Sequence, residues 1–190
     1  MMMRISRWLP ALLVLMLVAG CGMPKKNAEQ GLHAAEIAYQ KIMDRARNVT
    51  PDQAQGIEAG LAQARSDLEK GSVEAAVKEA GVLAGQIQSL SEQLPDLEAK
   101  LQAEWKDLTG SVPGALTALR QKLNDVGRPP AGMPERAMFD STRAQVAPLS
   151  QRWDEALSLY VSGKVAQAVA LGEAVKADAV RLVTGLQAGS

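Results

Sequence analysis

Apolar side chains recur at intervals of three and four residues through almost the whole chain, and this periodicity restricts the fold more than any other feature. Leu32, Ala35, Tyr39 and Ile42 begin the pattern, which returns in every long segment that follows. Such spacing places one apolar stripe on a helix. Aromatic residues make up only 3% of the chain, while helix-forming residues are frequent, which disfavours a sheet. We therefore predict an all-α protein, either a helical bundle or stacked αα-hairpins.

Residues with known roles at helix ends suggest where the first helices begin and stop. The first helix is expected over residues 28–48 of an all-α domain spanning 28–190. Thr50 and Gln53 predict a capping box at the start of the second helix, with Pro51 at its first position. Gly71 predicts a left-handed end to that helix. A tight helical hairpin should result.

Further along the chain, prolines and glycines predict interruptions. Pro95 is expected to end or kink the third helix, and residues 110–114 to separate a fourth from a fifth. Pro148 is a candidate kink in the helix that follows. The strongest cluster of helix breakers spans residues 127–134. We take this cluster as a loop and as the best candidate for a subdomain boundary.

The small residues of the third helix, and a repeat of its hairpin, carry two more expectations. Ala76, Gly81 and Gly85 should let a neighbouring helix approach closely. A shift of 92 residues also superimposes one hairpin on another, which suggests two related hairpins. The identical pairs are Thr50/Thr142, Gln53/Gln145, Ala64/Ala156, Ser66/Ser158, Gly71/Gly163, Val73/Val165, Ala76/Ala168, Val77/Val169, Leu90/Leu182 and Leu94/Leu186. In the second hairpin the spacing of Trp153, Ala156, Leu157, Tyr160, Gly163 and Ala168 is similar to that of a tetratricopeptide hairpin. The shift of 92 residues is not the 34-residue period of that family, so we interpret the pattern as helix-pair packing that hints at a binding groove.

Titratable and nucleophilic residues give little support for catalysis. The single cysteine excludes an intramolecular disulfide, and the single histidine excludes any site with two imidazoles. His33 stands off the apolar stripe and is expected to face water. No Gly-x-Ser-x-Gly or P-loop sequence occurs. We therefore predict no catalytic residue, no cofactor and no metal site, and hence that the protein is not an enzyme.

The remaining candidates for a site are predicted to have structural or surface roles. The acidic pairs Asp96/Glu98 and Asp154/Glu155 are expected on polar helix faces, where nothing signals the desolvated acid that catalysis needs. The aromatic residues at core spacing are expected to pack and not to form a ligand box; they are Trp105, Phe139, Trp153 and Tyr160.

The first 21 residues have the layout of an export signal. Arg4 and Arg7 precede an apolar stretch from Trp8 to Val18, which is shorter than the roughly 20 apolar residues that a membrane-spanning helix needs. The segment Leu17-Val18-Ala19-Gly20-Cys21 that follows resembles the lipobox of bacterial lipoproteins. That resemblance, confined to residues 1–21, implies cleavage after residue 20 and a lipid on Cys21, followed by a short tether up to residue 27.

The same resemblance bears on where the protein resides. In diderm bacteria an Asp after the lipid-bearing cysteine tends to retain a lipoprotein at the inner membrane, and residue 22 here is Gly22. The resemblance therefore implies the periplasmic face of the outer membrane. Arg4 and Arg7 are the only charged residues before Cys21, so the rest of the chain has a net charge of about −2 and no electrostatic affinity for nucleic acid is expected.

Two functions remain open from the sequence. The first is a lipid-anchored, non-catalytic binding or scaffold protein of the cell envelope, with another envelope protein as its partner. The second is a helical carrier that holds an apolar or peptide ligand between helices rich in small side chains. A carrier should retain a ligand on purification, whereas a scaffold should not.

Overall fold

A computed structural model describes residues 24–188, which form six helices and contain no strand in that range. The helices are α1 (Pro24–Gln40), α2 (Met43–Val49), α3 (Pro51–Glu69), α4 (Val73–Val126), α5 (Pro134–Val161) and α6 (Val165–Ala188). The all-α prediction is confirmed.

The helices form two three-helix bundles that share α4. In the first bundle α1 with α2, α3 and the first half of α4 enclose one apolar core, which runs from Ala28 to Leu94. In the second bundle the rest of α4 packs with α5 and α6 around another core, from Trp105 to Leu186. Leu101 packs against both cores. With 54 residues, α4 has a length of about 81 Å, so the bundles follow one another along a rod.

The continuity of α4 corrects the prediction of three separate helices between residues 73 and 126. Pro95 and Pro113 both lie inside α4, on its exposed side. Each proline lacks the N–H that would bond the carbonyl four residues earlier. Because those carbonyls, of Ser91 and Thr109, lie on exposed positions, water can satisfy them and the helix continues. Pro148 is likewise exposed and lies within α5.

The beginning of the chain also departs from the sequence prediction in detail. The expected first helix is interrupted at Lys41 and Ile42, where the Ile42 N–H donates to the Tyr39 carbonyl, 2.9 Å away, in a tighter turn. The expected capping box is absent, because the Thr50 side chain makes no cap bond and its hydroxyl donates instead to the Ala46 carbonyl. Helix α1 begins at Pro24, so the described part of the expected tether is helical.

The two predicted hairpins share their turn geometry. Gly71 and Gly163 have φ angles of 82° and 83°. In each turn the next residue's N–H bonds back to the carbonyl five residues before it, Ser72 to Asp67 at 2.8 Å and Lys164 to Leu159 at 3.0 Å. This is the Schellman arrangement, and it reverses the chain in both bundles. Core positions also match at the 92-residue shift, as the fully buried Ala64/Ala156 and the almost fully buried Ala76/Ala168 illustrate.

Close helix contact occurs at glycines other than those expected. A Cβ atom at Gly60 would lie 2.7 Å from Leu83 Cδ2, and one at Gly172 would lie 3.1 Å from Leu108 Cδ1. By contrast, Gly81 and Gly85 are exposed, with open space where a side chain would project, although Ala76 is buried as expected. The expectation for Gly81 and Gly85 was therefore wrong.

The breaker cluster at residues 127–134 connects α4 to α5 and ends α4 at Gly127, whose φ is 64°. Residues on both sides of this connection belong to the second core. The change from one core to the other falls within α4, between Leu94 and Trp105, where the helix is unbroken.

Candidate functional site

The expected lipid-attachment residue, Cys21, and the export signal lie outside the described residues. The start of α1 nevertheless shows at which end of the molecule the chain joins the first bundle. Lys25 and Glu29, at the start of α1, line the same groove as Leu68 and Glu69 at the end of α3. Because α3 turns directly into α4 there, the chain enters the rod at the end farthest from the second bundle.

His33 occupies the exposed position that the sequence predicts. Its side chain is 74% exposed, and its Nδ1 lies 4.0 Å from a carboxylate oxygen of Glu36, which also pairs with Arg65. Among residues 24–188 no group of three His, Cys, Asp or Glu side chains is placed to hold a metal ion.

The expected aromatic packing occurs in the second core. Trp105 stacks on Tyr160, with ring centroids 4.5 Å apart and planes 8° from parallel, and on Trp153 at 5.5 Å. Trp105, Trp153 and Phe139 are buried and Tyr160 is partly buried. The stack joins α4 to the end of α5 beside the junction of the two bundles.

The acidic pairs lie at the surface as expected, although one member has a structural role. Glu98, on α4, accepts two hydrogen bonds from the Arg45 guanidinium of α2, at 2.8 and 2.9 Å. These bonds hold the pKa of the Glu98 carboxyl below its usual range. The contact ties α2 to α4 just before the second bundle begins.

A polar network that the sequence did not predict connects α1, α2 and α3. The buried Tyr39 hydroxyl donates to a Glu58 carboxylate oxygen at 2.7 Å, and Arg47 Nε donates to the same oxygen at 2.8 Å. Burial, together with the Glu58 carboxylate, raises the pKa of Tyr39 above its usual range. The hydrogen bonds from Arg47 and Tyr39 lower the pKa of Glu58. The only sequence signal was that a tyrosine on an apolar stripe needs a partner for its hydroxyl.

The surface of the first bundle has one interhelical groove bridged by side chains and one left open. Between α1 and α3, Arg65 pairs with Glu36 across the groove, and Tyr39 bonds to Glu58 farther along. The groove between α3 and α4, of about 600 Å³, is lined by uncharged residues. They include Gln53, Gly56, Val82, Gly85, Gln86 and Gln93.

The second bundle bridges different grooves. Between α4 and α6 a groove of about 880 Å³ is crossed by Lys176, whose ammonium lies 2.9 Å from an Asp107 carboxylate oxygen. Asp178 of α6 receives Arg152 from α5 and Arg181 from its own helix, each at 2.8 Å. Lys176, Asp178 and Arg181 of α6 are thus all engaged in ion pairs.

The groove between α4 and α5, which we call the distal groove, has a different character. Its volume is about 610 Å³, and Leu123, Phe139 and Val146 supply apolar lining. Arg120, Arg143 and Asp154 supply charge. Arg120 donates to the Ser150 hydroxyl at 2.7 Å, and among the described residues no carboxylate lies within ion-pairing distance of Arg120 or Arg143. An apolar floor with unneutralised guanidinium groups can bind an amphipathic anion.

The sequence did not single out the distal groove. Arg120 and Arg143 stand on different helices, 23 residues apart, and no local spacing links them. Only the return of α5 along α4 brings them to one groove. The helix-breaking residues 127–134 predicted a loop between these two helices, but not which residues of α5 would lie beside which residues of α4.

Comparisons of the chain with models of known families, with curated proteins and with solved structures found no match. None of the helices within residues 24–188 is both long enough and apolar enough to cross a membrane.

Proposed function

We propose that this chain is a lipid-anchored, non-catalytic binding or scaffold protein of the bacterial cell envelope. The export signal and lipobox-like segment ending at Cys21 carry this proposal. The position of the described N-terminus supports it, because α1 begins at one end of the rod. A lipid on Cys21 would hold that end at a membrane surface and leave the second bundle free to extend from it.

The anchor and the rod together define what such a scaffold would do. A triacylated cysteine buries enough methylene groups, at about 0.8 kcal/mol each, for stable attachment. Confinement to a surface raises the effective concentration of two weakly interacting partners toward the millimolar range, so a modest intrinsic affinity suffices. The open grooves are the surfaces on which a partner protein would bind. Gly22 in place of Asp favours the outer membrane as the site of attachment.

Replacing the anchoring cysteine tests the proposal directly. In the native host, wild type should incorporate labelled palmitate and lose residues 1–20, whereas Cys21→Ala should remain as unlabelled precursor. Mature wild-type protein with an unmodified Cys21 would refute the anchor. A Gly22→Asp variant should move toward the inner membrane, while Gly22→Asn is the uncharged control.

A soluble form separates anchoring from binding. Exported through a cleavable signal and starting at residue 22, the chain keeps every described core residue. We expect it to bind its partner after purification but to lose most function in cells at native expression, with partial recovery on overexpression. Full function at native levels would show that the anchor is dispensable.

The alternative function is a carrier of an apolar or peptide ligand. The groove between α4 and α6 favours it, because Leu108, Ala177 and Val180 line about 880 Å³ and Val180 is 53% exposed. Native mass spectrometry of the purified soluble chain distinguishes the two functions. A retained ligand supports the carrier, and a ligand-free mass supports the scaffold.

A further inference from the structure

The distal groove stands out because Arg120 and Arg143 make no ion pair among residues 24–188, and Asp154 is the one carboxylate that shares its lining with them. Asp140, the nearest acid on α5, already accepts two hydrogen bonds from Arg128 at 3.2 Å and lies 3.6 Å from Arg136. The bonds from Arg128 hold the pKa of Asp140 below its usual range. Arg136 and Arg143 attract the same carboxylate, so three guanidinium groups share the one acid and this part of the surface keeps a net positive charge.

The charge is local to this end of the rod. The segment from residue 120 to residue 143 contains five basic and three acidic side chains, although the chain after Cys21 has a net charge of about −2. Counterparts in the other grooves, such as Arg65 and Lys176, are paired with carboxylates. With two guanidinium groups and the single Asp154 carboxylate, the lining of the distal groove has a net positive charge, which favours a ligand that brings negative charge.

The groove's length and lining match an α-helix. The segment of α5 that lines it, from Phe139 to Asp154, spans about 22 Å, or roughly four helical turns. Helix α5 packs mainly against α6 and only sparsely against α4. The space left between two antiparallel helices suits the apolar ridge of a third, which would contact the partly exposed Val146 and the exposed Ala147 above the buried Leu123 and Phe139.

We propose that the distal groove binds an acidic amphipathic helix of a partner protein, which adds a fourth helix to the second bundle. This proposal rests on the proposed function, since it names the partner that the anchored scaffold would hold. The partner's apolar residues at three- and four-residue spacing would contact the groove floor. Its acidic residues, on the flanks of that stripe, would pair with Arg120 and Arg143.

The groove's place along the rod favours a protein over a lipid headgroup as the source of negative charge. Arg120 lies about 70 Å along α4 from Val73, and Val73 lies at the end of the rod where α1 begins. In an upright orientation of the anchored rod, the distal groove therefore lies far from the membrane.

Photocrosslinking in living cells tests the proposal with the full-length chain. A photoreactive phenylalanine derivative replaces Ala147, an exposed residue of the distal groove. Matched controls carry the same group at Val82, in the groove between α3 and α4, or at Val180, beside α6. Mass spectrometry then identifies the crosslinked segment. We expect position 147 to capture a net-acidic, amphipathic segment of an envelope protein.

Each other outcome contradicts a defined part of the argument. Adducts at position 82 or 180 but none at 147 would overturn this inference and leave the scaffold function standing. A lipid adduct, a second copy of this chain, or a basic segment at 147 would also overturn it. No adduct at any position would overturn both proposals.

The affinity of the captured segment provides a second readout. A synthetic peptide of that sequence is titrated against the purified soluble chain, with fluorescence anisotropy as the signal. Arg143→Gln and Arg120→Gln should each raise Kd about tenfold, because each removes one charge-assisted contact. Lys78→Gln removes an exposed charge of the first bundle that forms no ion pair among residues 24–188, and should leave Kd unchanged. Equal effects of all three variants would show that only overall charge matters and would overturn the specific groove.

Discussion

Two glycines one turn apart on α3 allow the close contact between α3 and α4 to be measured. Gly60 faces α4, and a Cβ atom placed there would lie 2.7 Å from Leu83 Cδ2. Gly56 is exposed, with nothing within 4 Å of its Cβ position. Substituting each by alanine changes the same helix by the same methyl group. The difference between the variants reports the contacts that a side chain at residue 60 would make with α4, chiefly with Leu83 and also with Glu79, whose Oε1 would lie 3.3 Å away.

The expected magnitudes follow from two opposing effects. Gly→Ala in a helix interior stabilises by about 0.8–1 kcal/mol when the space is open. Gly56→Ala should show this gain. At Gly60 the new methyl group must displace Leu83, which is only 2% exposed and has little room to move, and overpacking typically costs about 1–3 kcal/mol. Gly60→Ala should therefore be destabilising or neutral, and at least about 1 kcal/mol less stable than Gly56→Ala.

Urea unfolding followed by far-ultraviolet circular dichroism measures both variants against wild type. The slope of the free energy of unfolding with denaturant should stay constant, so that the midpoints report stability alone. A Gly60→Ala variant stabilised as much as Gly56→Ala would refute the reasoning, because it would mean that α3 and α4 are not in close contact at residue 60. Leu83→Ala combined with Gly60→Ala should relieve the clash and show non-additive free energies.

Four further outcomes are expected. Trp153→Ala should cost about 3–5 kcal/mol in thermal or urea unfolding because it empties a buried site, and a much smaller loss would place the side chain at the surface. Because the pKa of Tyr39 is raised on folding, its hydroxyl stabilises the fold below pH 10.0, the pKa of an unfolded tyrosine. This contribution is lost as the pH rises through the folded pKa, so the free energy of unfolding of Tyr39→Phe should depend less steeply on pH in the alkaline range. Because the pKa of Glu58 is lowered on folding, its carboxylate stabilises the fold above pH 4.5, the pKa of an unfolded glutamate. This contribution is lost as the pH falls through the folded pKa, so the melting temperature of Glu58→Gln should depend less steeply on pH in the acid range. In a chain that starts at residue 22, tryptophan fluorescence reports the second bundle alone. Because Leu101 and α4 belong to both bundles, this signal should give the same midpoint as circular dichroism, and separate midpoints would show independent unfolding.

Local sequence patterns predicted the helices and their inner faces well. The stripe from Leu32 through Ile42 is buried, and Gly71 and Gly163 end helices with positive φ as expected. These features depend on neighbours three to five residues away, which the sequence displays. The continuity of α4 depends instead on which side of the helix Pro95 faces, and that side is decided by the packing of α1 and α3.

For a related reason, the sequence could not predict where one core ends and the other begins, nor could it predict the charged groove. An unbroken apolar stripe runs through Leu94, Leu101 and Trp105, so nothing in the pattern marks where α4 exchanges one set of partner helices for another. Likewise, the pairing state of an arginine depends on the helix that lies beside it. Arg65 and Arg143 look alike in sequence, yet only Arg65 has a carboxylate across its groove.

The shared register of the two hairpins shows how the bundles differ in their exposed surfaces. At the 92-residue shift, Gly60, Gln86 and Ser89 correspond to Arg152, Asp178 and Arg181. In the first bundle Gln86 and Ser89 line the open, uncharged groove between α3 and α4, and Gly60 lies beside it against Leu83. In the second bundle Arg152 of α5 and Arg181 of α6 both pair with Asp178. The groove between the first two helices of each bundle differs in the opposite way, because Arg65 and Glu36 form an ion pair across it in the first bundle, whereas in the second Arg120 donates to the Ser150 hydroxyl and forms no ion pair among residues 24–188. A helix that recognises the distal groove should therefore find no equivalent site on the first bundle, because side-chain charge, not the helical frame, selects which groove accepts a partner.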